Sequence, residues 1–238
     1  MIRLAGGDTE PATAAPRQQA DAMSAPLRLL LSDIYPGNLA PEHLADLRKS
    51  GLTPDTIRSH HFRSVPPGMI PQLVGFNLPA LRSAMLIPYP DPAGGFMAHI
   101  RVKVFPPLTD RQGHTVKYLQ PRGSGARLFF PLQTLAVALA GDAALWLCEG
   151  EKKALAVAQL GLPGVGFAGI EGWHRAGSRD LLPDFAAIRL RERPLELVPD
   201  GDWRVNPAVE RGAVRLAEAL ERCGACVRLV VLPAGVTR

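Results

Sequence analysis

The second half of the chain alternates short apolar runs with helical segments, and this alternation limits its fold more than any other feature. Strand-like runs cover residues 143–148, 165–169, 195–200 and 227–232. One helix is predicted over 151–160 and another over 207–223, where Asn206 is the N-cap and Pro207 the first helical residue. Strands that alternate with helices form a parallel, doubly wound sheet. We therefore predict an α/β domain over residues 136–238.

Acidic residues follow two of these strands. Glu149 comes directly after the first strand, and Asp200 and Asp202 follow the third. Ligands of parallel sheets bind beyond the carboxyl ends of the strands, so three carboxylates converge if these two strands are neighbours. Such carboxylates repel one another unless they hold protons or share a cation, and Mg²⁺ prefers oxygen ligands. Asp-Gly-Asp is also common turn chemistry, and taken alone it is more often an ordinary acidic loop.

Residues 25–135 predict a small α+β domain in front of the parallel sheet. Two helical signals, at 41–50 and from Thr53 onward, suit a DNA-reading helix-turn-helix, although a plain αα-hairpin is the favoured interpretation. Strand-like runs follow at 85–89, 96–104 and 116–119. Residues 1–24 are rich in Ala, Gln, Pro and Asp without periodicity, which indicates a disordered tail.

Basic residues concentrate in the strand-like part of this domain. His99, Arg101 and Lys103 alternate with apolar residues, so one face of their strand is predicted to be basic. A second basic stretch, Gly-rich and with an interleaved tyrosine, contains Lys117, Tyr118, Arg122 and Arg127. Such a stretch suits phosphate and base contacts, and a solvated charged face explains it equally well. The net charge of +5 adds a weak indication of a polyanionic partner.

Several function classes are disfavoured by motifs that the sequence lacks. It contains neither a Gly-x-x-x-x-Gly-Lys-Ser/Thr loop nor a Gly-x-Gly-x-x-Gly turn, which argues against an ATPase motor and a dinucleotide enzyme. Cys223 and Cys226 form a CxxC at the end of a predicted helix instead of its start, which favours a structural role. No apolar segment suits a signal peptide or a membrane span, so we expect a cytoplasmic protein without a membrane partner.

The motifs at the strand ends resemble those of the Toprim family. Residues 148–154, Cys-Glu-Gly-Glu-Lys-Lys-Ala, are similar to its first motif, a strand followed by Glu-Gly and a helix. Residues 165–174 are similar to its middle segment, and 195–202 to the strand with Asp-x-Asp. Across residues 40–235 the chain further resembles a Toprim-like domain of unknown function, with its primase-associated N-terminal companion, in phage and plasmid primase-helicase proteins.

The resemblance implies a Toprim-like parallel sheet sandwiched by helices. In that family the Glu of the first motif acts as a general acid/base, and the Asp-x-Asp pair coordinates Mg²⁺. Glu149 is therefore the expected catalytic residue, and with Asp200 and Asp202 it forms the expected ligand set for Mg²⁺ or Mn²⁺. Lys152 and Lys153 are candidates for contacts with phosphate.

Two further residues qualify this expectation. Pro199 stands where the family usually has a larger apolar residue before Asp-x-Asp, so an irregular strand end is expected because Pro cannot donate to a sheet ladder. His174, beside Trp173, is a weaker candidate for the same cleft, since a loop histidine is more often inert.

The sequence thus predicts a primase-like nucleotidyltransferase of a mobile element that acts in DNA replication. It would bind single-stranded DNA or RNA, use Mg²⁺ or Mn²⁺, need no organic cofactor and work with a separate replicative helicase. A metal-dependent nuclease on the same carboxylates is an alternative, because making and breaking phosphodiesters use the same metal geometry. A non-catalytic module that binds single-stranded nucleic acid is the third possibility.

Overall fold

The structure, a computed structural model, describes residues 39–78, 81–201 and 203–232. The predicted disordered tail at 1–24 and the predicted metal ligand Asp202 lie outside these residues. Within them the chain forms two four-stranded sheets, one antiparallel and one parallel. The predicted α/β fold class is confirmed.

The antiparallel sheet is built from residues 63–119, and its strands lie side by side in chain order. They are β1 (Arg63–Val65), β2 (Ser83–Pro90), β3 (Phe96–Thr109) and β4 (Thr115–Leu119). From Ile100 to Val104 of β3 the predicted alternation holds, because Ile100, Val102 and Val104 are fully buried on one face. Arg101 and Lys103 therefore project from the opposite face. His99, which was predicted to lie on the basic face, is itself buried. The sequence did not predict β1, which at three residues is too short to show a pattern.

In the part of the chain that the structure describes, three α-helices accompany this sheet, α1 (Pro41–Lys49), α2 (Pro54–Ser59) and α3 (Ile70–Val74). The Thr53 hydroxyl accepts a hydrogen bond from the N–H of Thr56, so the predicted N-cap of α2 is confirmed. The turn between α1 and α2 is fixed by Gln159, which accepts from the N–H of Thr53 and donates to the carbonyl of Gly51. This anchoring supports the αα-hairpin interpretation, because the turn packs on the rest of the chain.

The parallel sheet is built from residues 145–229, with the spatial order β6-β5-β7-β8. Its strands are β5 (Leu145–Glu149), β6 (Gly164–Phe167), β7 (Pro194–Val198) and β8 (Cys226–Leu229). The helices are α4 (Leu135–Ala140), α5 (Glu151–Ala158) and α6 (Pro207–Arg222). The central strands are buried almost continuously, as expected for a parallel sheet covered on both faces. Short 3₁₀ helices occur at Pro67–Met69, Leu132–Thr134 and Pro183–Ala187.

Both ends of α6 follow the sequence prediction. The side chain of Asn206 accepts a hydrogen bond from the N–H of Ala208 over 3.2 Å, which caps the first turn. Cys223 is the C-cap residue and Cys226 opens β8, and both thiols are free and exposed. This is the end-of-helix position that argued against a thioredoxin-like site.

One hydrophobic cluster runs through the residues around both sheets, and it includes Met85, Ile87, Phe129, Leu145 and Phe167. Phe129 also pairs with Gly166 by two backbone hydrogen bonds of 2.8 Å, so an extended segment covers the outer edge of β6. The predicted division into domains at residues 135 and 136 stays a prediction. Among the described helices, none has the length and apolar character needed to cross a bilayer.

Candidate active site

Two of the predicted site residues meet where neighbouring parallel strands end. Glu149 is the last residue of β5, and Asp200 follows the end of β7 by two residues. The strands pair directly, with Cys148 opposite Val198, which is the arrangement that the sequence argument required. The backbone N–H of Asp200 donates a hydrogen bond of 2.8 Å to Oε2 of Glu149. The Glu149 carboxylate is therefore held against the loop that carries Asp200.

A glycine shapes the turn that leaves β5. Gly150 has a φ of 101°, a conformation that side chains rarely adopt, and its N–H donates a 2.8 Å hydrogen bond to the carbonyl of Phe167. The turn is thus tied to the end of β6, and α5 begins at the next residue. Glu149 is only 8% exposed, whereas the side chain of Asp200 is 58% exposed. Asp200 is therefore the carboxylate more accessible to a ligand.

The exposed carboxylate of Asp200 already has a cationic neighbour. Nζ of Lys153, in α5, lies 2.5 Å from Oδ1 of Asp200 and 3.3 Å from the carbonyl oxygen of Pro199. The strand itself stops at Val198, one residue before the proline. The sequence predicts that Lys153 contacts phosphate, and in the structure its ammonium contacts a predicted metal ligand.

The donor chemistry at these strand ends suits a hard cation. Mg²⁺ is usually bound by one or two carboxylates, keeps several waters and takes phosphate oxygens as further ligands. Glu149 and Asp200 provide two carboxylates at the partly open carboxyl end of the sheet. In the part of the chain that the structure describes, no three His, Cys, Asp or Glu side chains are grouped to hold a metal. Asp202 lies outside that part, so the ligand set of Glu149, Asp200 and Asp202 stays a prediction.

Glu151, two residues after Glu149, has a different environment. It is 3% exposed, and its Oε1 accepts hydrogen bonds of 2.6 Å from both the Tyr89 hydroxyl and Nη1 of Arg101. Burial alone would raise the pKa of Glu151, but the Arg101 charge and the Tyr89 hydrogen bond outweigh it and lower that pKa. Glu151 is therefore a buried anion that joins the start of α5 to β2 and β3.

The basic face of β3 packs against the interior of the molecule. The Arg101 guanidinium lies 4.4 Å from the ring centroid of Tyr118, on β4. Lys103 forms an ion pair with Asp46 of α1, and Lys152 donates to the same carboxylate over 3.1 Å. Burial would raise the pKa of Asp46, but these two ammonium groups lower it. These cations are half-buried and paired, so nucleic-acid binding by them stays a prediction.

The remaining predicted nucleic-acid-binding residues differ in exposure. Nε of Arg127 lies 2.9 Å from both carboxylate oxygens of Asp184, which also accepts the N–H of Leu128. This arrangement anchors the segment that covers the edge of β6. Lys117 and Arg122 are exposed, and within the described residues neither side chain forms an ion pair. Among the predicted nucleic-acid-binding cations, Lys117 and Arg122 are the most accessible to a polyanion.

His174 shows no link to the carboxylates at the strand ends. Its Nδ1 lies 2.8 Å from the carbonyl of Arg175 and its Nε2 3.1 Å from Glu171. The Arg175 carbonyl, followed by Glu171, raises the pKa of His174. Within the described residues no hydrogen bond or ion pair joins His174 to Glu149 or Asp200.

The acidic partners of the basic residues were not predicted from the sequence. Asp46 lies in α1 and Asp184 in a 3₁₀ helix, 57 residues away in sequence from Lys103 and Arg127 respectively. No local pattern marks them, because each pairing depends on how distant segments pack. Glu151 could have been identified from the sequence, because it is the first helical residue after Glu-Gly and lies directly beside the predicted site.

The fold is similar to that of solved primase domains. The DnaG primase catalytic domain bound to ssDNA matches with a TM-score of 0.58 and 20% identity, covering 92% of this chain and 76% of that one. The RNA polymerase domain of Mycobacterium tuberculosis primase DnaG matches with a TM-score of 0.59 and 15% identity, covering 92% and 77%. The same domain in complex with double-stranded DNA matches with a TM-score of 0.57 and 15% identity, covering 92% of this chain and 74% of that one. At these identities the similarity shows a shared fold.

Sequence comparison adds a family match over the second half of the chain. Residues 136–237 match the family described as a domain of unknown function (DUF3854). That span contains the parallel sheet and both described carboxylates of the candidate site. A comparison of the sequence with curated proteins found no match.

Proposed function

We propose that this protein is a primase-like nucleotidyltransferase that acts in DNA replication. It joins nucleotides on a single-stranded template, with a divalent cation held by Glu149, Asp200 and Asp202. We further propose that it belongs to a mobile element and works in the cytoplasm beside a separate helicase. The similarity of its fold to the DnaG catalytic domain bound to ssDNA supports the choice of substrate class.

The observation that carries this proposal is the contact between Glu149 and Asp200. Their strands are neighbours in a parallel sheet, and the Asp200 N–H fixes the Glu149 carboxylate at the strand ends, where such sheets bind ligands. A Mg²⁺ ion bound there would stabilise the charge that develops on a transferring phosphoryl group. The chain itself supplies the fixed carboxylate of Glu149 for proton transfer, and Lys117 and Arg122 as exposed contacts for template phosphates.

The test is the incorporation of labelled nucleotides on a single-stranded DNA template with Mg²⁺ or Mn²⁺. We expect Asp200→Asn to lower the rate by at least about 100-fold, because metal-based charge stabilisation contributes several kcal/mol. Asp142→Asn is the matched control. Asp142 lies just before β5, at the end of the strand opposite Glu149, and its exposed carboxylate pairs with Arg189. Equal rates for wild type, Asp200→Asn and Asp142→Asn would contradict a site at Asp200.

One observation favours a second candidate, a non-catalytic module that binds single-stranded nucleic acid. The Lys153 ammonium already balances the charge of Asp200, so this carboxylate does not need a metal for neutrality. This candidate predicts template binding that is unchanged in Asp200→Asn, with no incorporation by the wild type. Incubating the wild type with DNA and metal but no nucleotides separates both candidates from a nuclease, which alone would shorten the DNA.

A further inference from the structure

Lys153 contacts the Asp200 carboxylate, which is proposed above to bind a metal ion. Its Nζ contacts Oδ1 of Asp200 at 2.5 Å and is also held by the Pro199 carbonyl at 3.3 Å. A divalent cation coordinated by the same oxygen would repel an ammonium group at this distance, because like charges repel. Metal binding at Oδ1 therefore favours breaking the contact with Lys153.

We propose that Lys153 is a resident counter-ion which a divalent metal displaces from Asp200 and which then binds phosphate of the nucleic acid. This inference rests on the proposed function, because it assumes that metal and nucleic acid meet at these strand ends. Before metal binds, Lys153 balances the charge of Asp200. Once metal has bound, the displaced ammonium adds a positive charge to the cleft, so metal and polyanion bind cooperatively.

The adjacent lysine makes the inference specific to one residue. Lys152 has the same charge and lies on the same turn of α5, but its Nζ donates to Asp46 over 3.1 Å. Its side chain is 20% exposed, against 31% for Lys153, so the two are similarly accessible. Removing either charge changes the long-range electrostatic field alike, and only the loss of Lys153 vacates Oδ1 of Asp200.

The first experiment is a Mn²⁺ titration of the full chain, followed by electron paramagnetic resonance, for wild type, Lys153→Met and Lys152→Met. Methionine is unbranched like lysine, nearly as long and similar in helix propensity, but it has no charge. We expect Lys153→Met to bind Mn²⁺ about three- to tenfold more tightly than wild type, since it loses one partly solvent-screened competitor. Lys152→Met should stay within a factor of about two of the wild type, because only distant charge changes.

The second experiment measures the affinity for a 12-nucleotide oligothymidylate, once with saturating Mn²⁺ and once with EDTA in place of the metal. Because coupling is reciprocal, Mn²⁺ should strengthen oligonucleotide binding more in wild type and Lys152→Met than in Lys153→Met. Equal gains in all three proteins would overturn the transfer of Lys153 to phosphate.

The outcomes separate this inference from the function on which it rests. If wild type and Lys153→Met bind Mn²⁺ with the same affinity, the displacement of Lys153 is wrong and the proposed metal site stands. If neither protein binds Mn²⁺, with circular dichroism confirming that both are folded, the proposed metal site is wrong and the inference fails with it.

Discussion

Glu149 and Glu151 are separated by a single residue, yet they belong to different parts of the molecule. Glu149 ends a strand and lies at the carboxyl end of the sheet, against the N–H of Asp200. Glu151 starts a helix and is buried, where Arg101 and Tyr89 satisfy its carboxylate. Gly150, whose φ is positive, forms the turn between the strand that ends at Glu149 and the helix that starts at Glu151.

The comparison shows that the surroundings of a carboxylate decide its role. An internal arginine neutralises Glu151, and the pair joins α5 to the antiparallel sheet. Glu149 accepts a hydrogen bond from the backbone N–H of Asp200, and the Asp200 carboxylate is half open to solvent, so Asp200 has coordination positions for an external cation. We therefore regard Glu151 as a structural residue and Glu149 as a candidate functional residue.

Glu151→Ala is expected to change the free energy of unfolding more than any other variant, and it tests the structural role of Glu151. We expect a loss of about 3–5 kcal/mol in the free energy of unfolding, because the substitution leaves the Arg101 charge buried without its partner. Urea unfolding measures this change, and Glu221→Ala, at an exposed position of α6, should shift it by less than about 0.5 kcal/mol.

A double variant sharpens the same prediction. Glu151→Leu combined with Arg101→Met removes both charges together, so it should recover part of the lost stability. A double variant no more stable than Glu151→Ala would show that the ion pair itself is not the source of the loss.

The second prediction concerns pH, through His99 in the same buried region. Its ring packs edge-on against Tyr89 at 4.6 Å, and within the described residues neither ring nitrogen has a hydrogen-bond partner. Burial, followed by the charges of Arg127 and Arg101, lowers the pKa of His99 to about 3. Between pH 6.5 and 3 the unfolded chain therefore binds the proton that the folded chain excludes, so stability falls as pH falls.

We expect this effect to reach about 2 kcal/mol on going from pH 8 to pH 5. Urea unfolding at both pH values, for wild type and His99→Phe, isolates the contribution of this one side chain. The phenylalanine variant should lose less stability on acidification than the wild type. Equal losses would mean that His99 is protonated in the folded state as easily as in the unfolded one.

The smallest predicted effect concerns the exposed cations. Lys117→Ala and Arg122→Ala should each weaken binding of single-stranded DNA and reduce the salt dependence of the binding constant by about one counter-ion. Arg222→Ala, at the end of α6, removes an exposed charge on the side of the sheet away from Glu149 and should leave the salt dependence unchanged. Equal effects of all three would indicate diffuse attraction to net charge.

Much of the fold follows from local sequence signals. The alternation of strands and helices predicted the parallel sheet, and Thr53 and Asn206 marked two helix starts because N-caps depend on only a few neighbouring residues. The meeting of Glu149 and Asp200 required one further condition, that β5 and β7 are neighbours, and the structure fulfils it.

The surroundings of the basic strand could not be predicted in this way. Alternation in β3 correctly placed Arg101 and Lys103 opposite the apolar face, but it did not show that His99 is buried or what covers the two cations. Asp46 and Glu151 reach Lys103 and Arg101 across sequence separations of 57 and 50 residues, and such pairs depend on the packing of the whole chain. The sequence around Lys153 likewise contains no pattern that predicts its contact with Asp200.

The most direct test of the account is a calorimetric titration of Mn²⁺ into wild type and into the Glu149→Gln, Asp200→Asn double variant, with Glu151 unchanged in both. Single-stranded DNA is present in each titration, and circular dichroism verifies the fold. A metal site formed by Glu149 and Asp200 predicts a saturable heat of binding in the wild type that disappears in the double variant. Unchanged Mn²⁺ affinity in the double variant, or no binding by the wild type, would contradict a metal site at these strand ends.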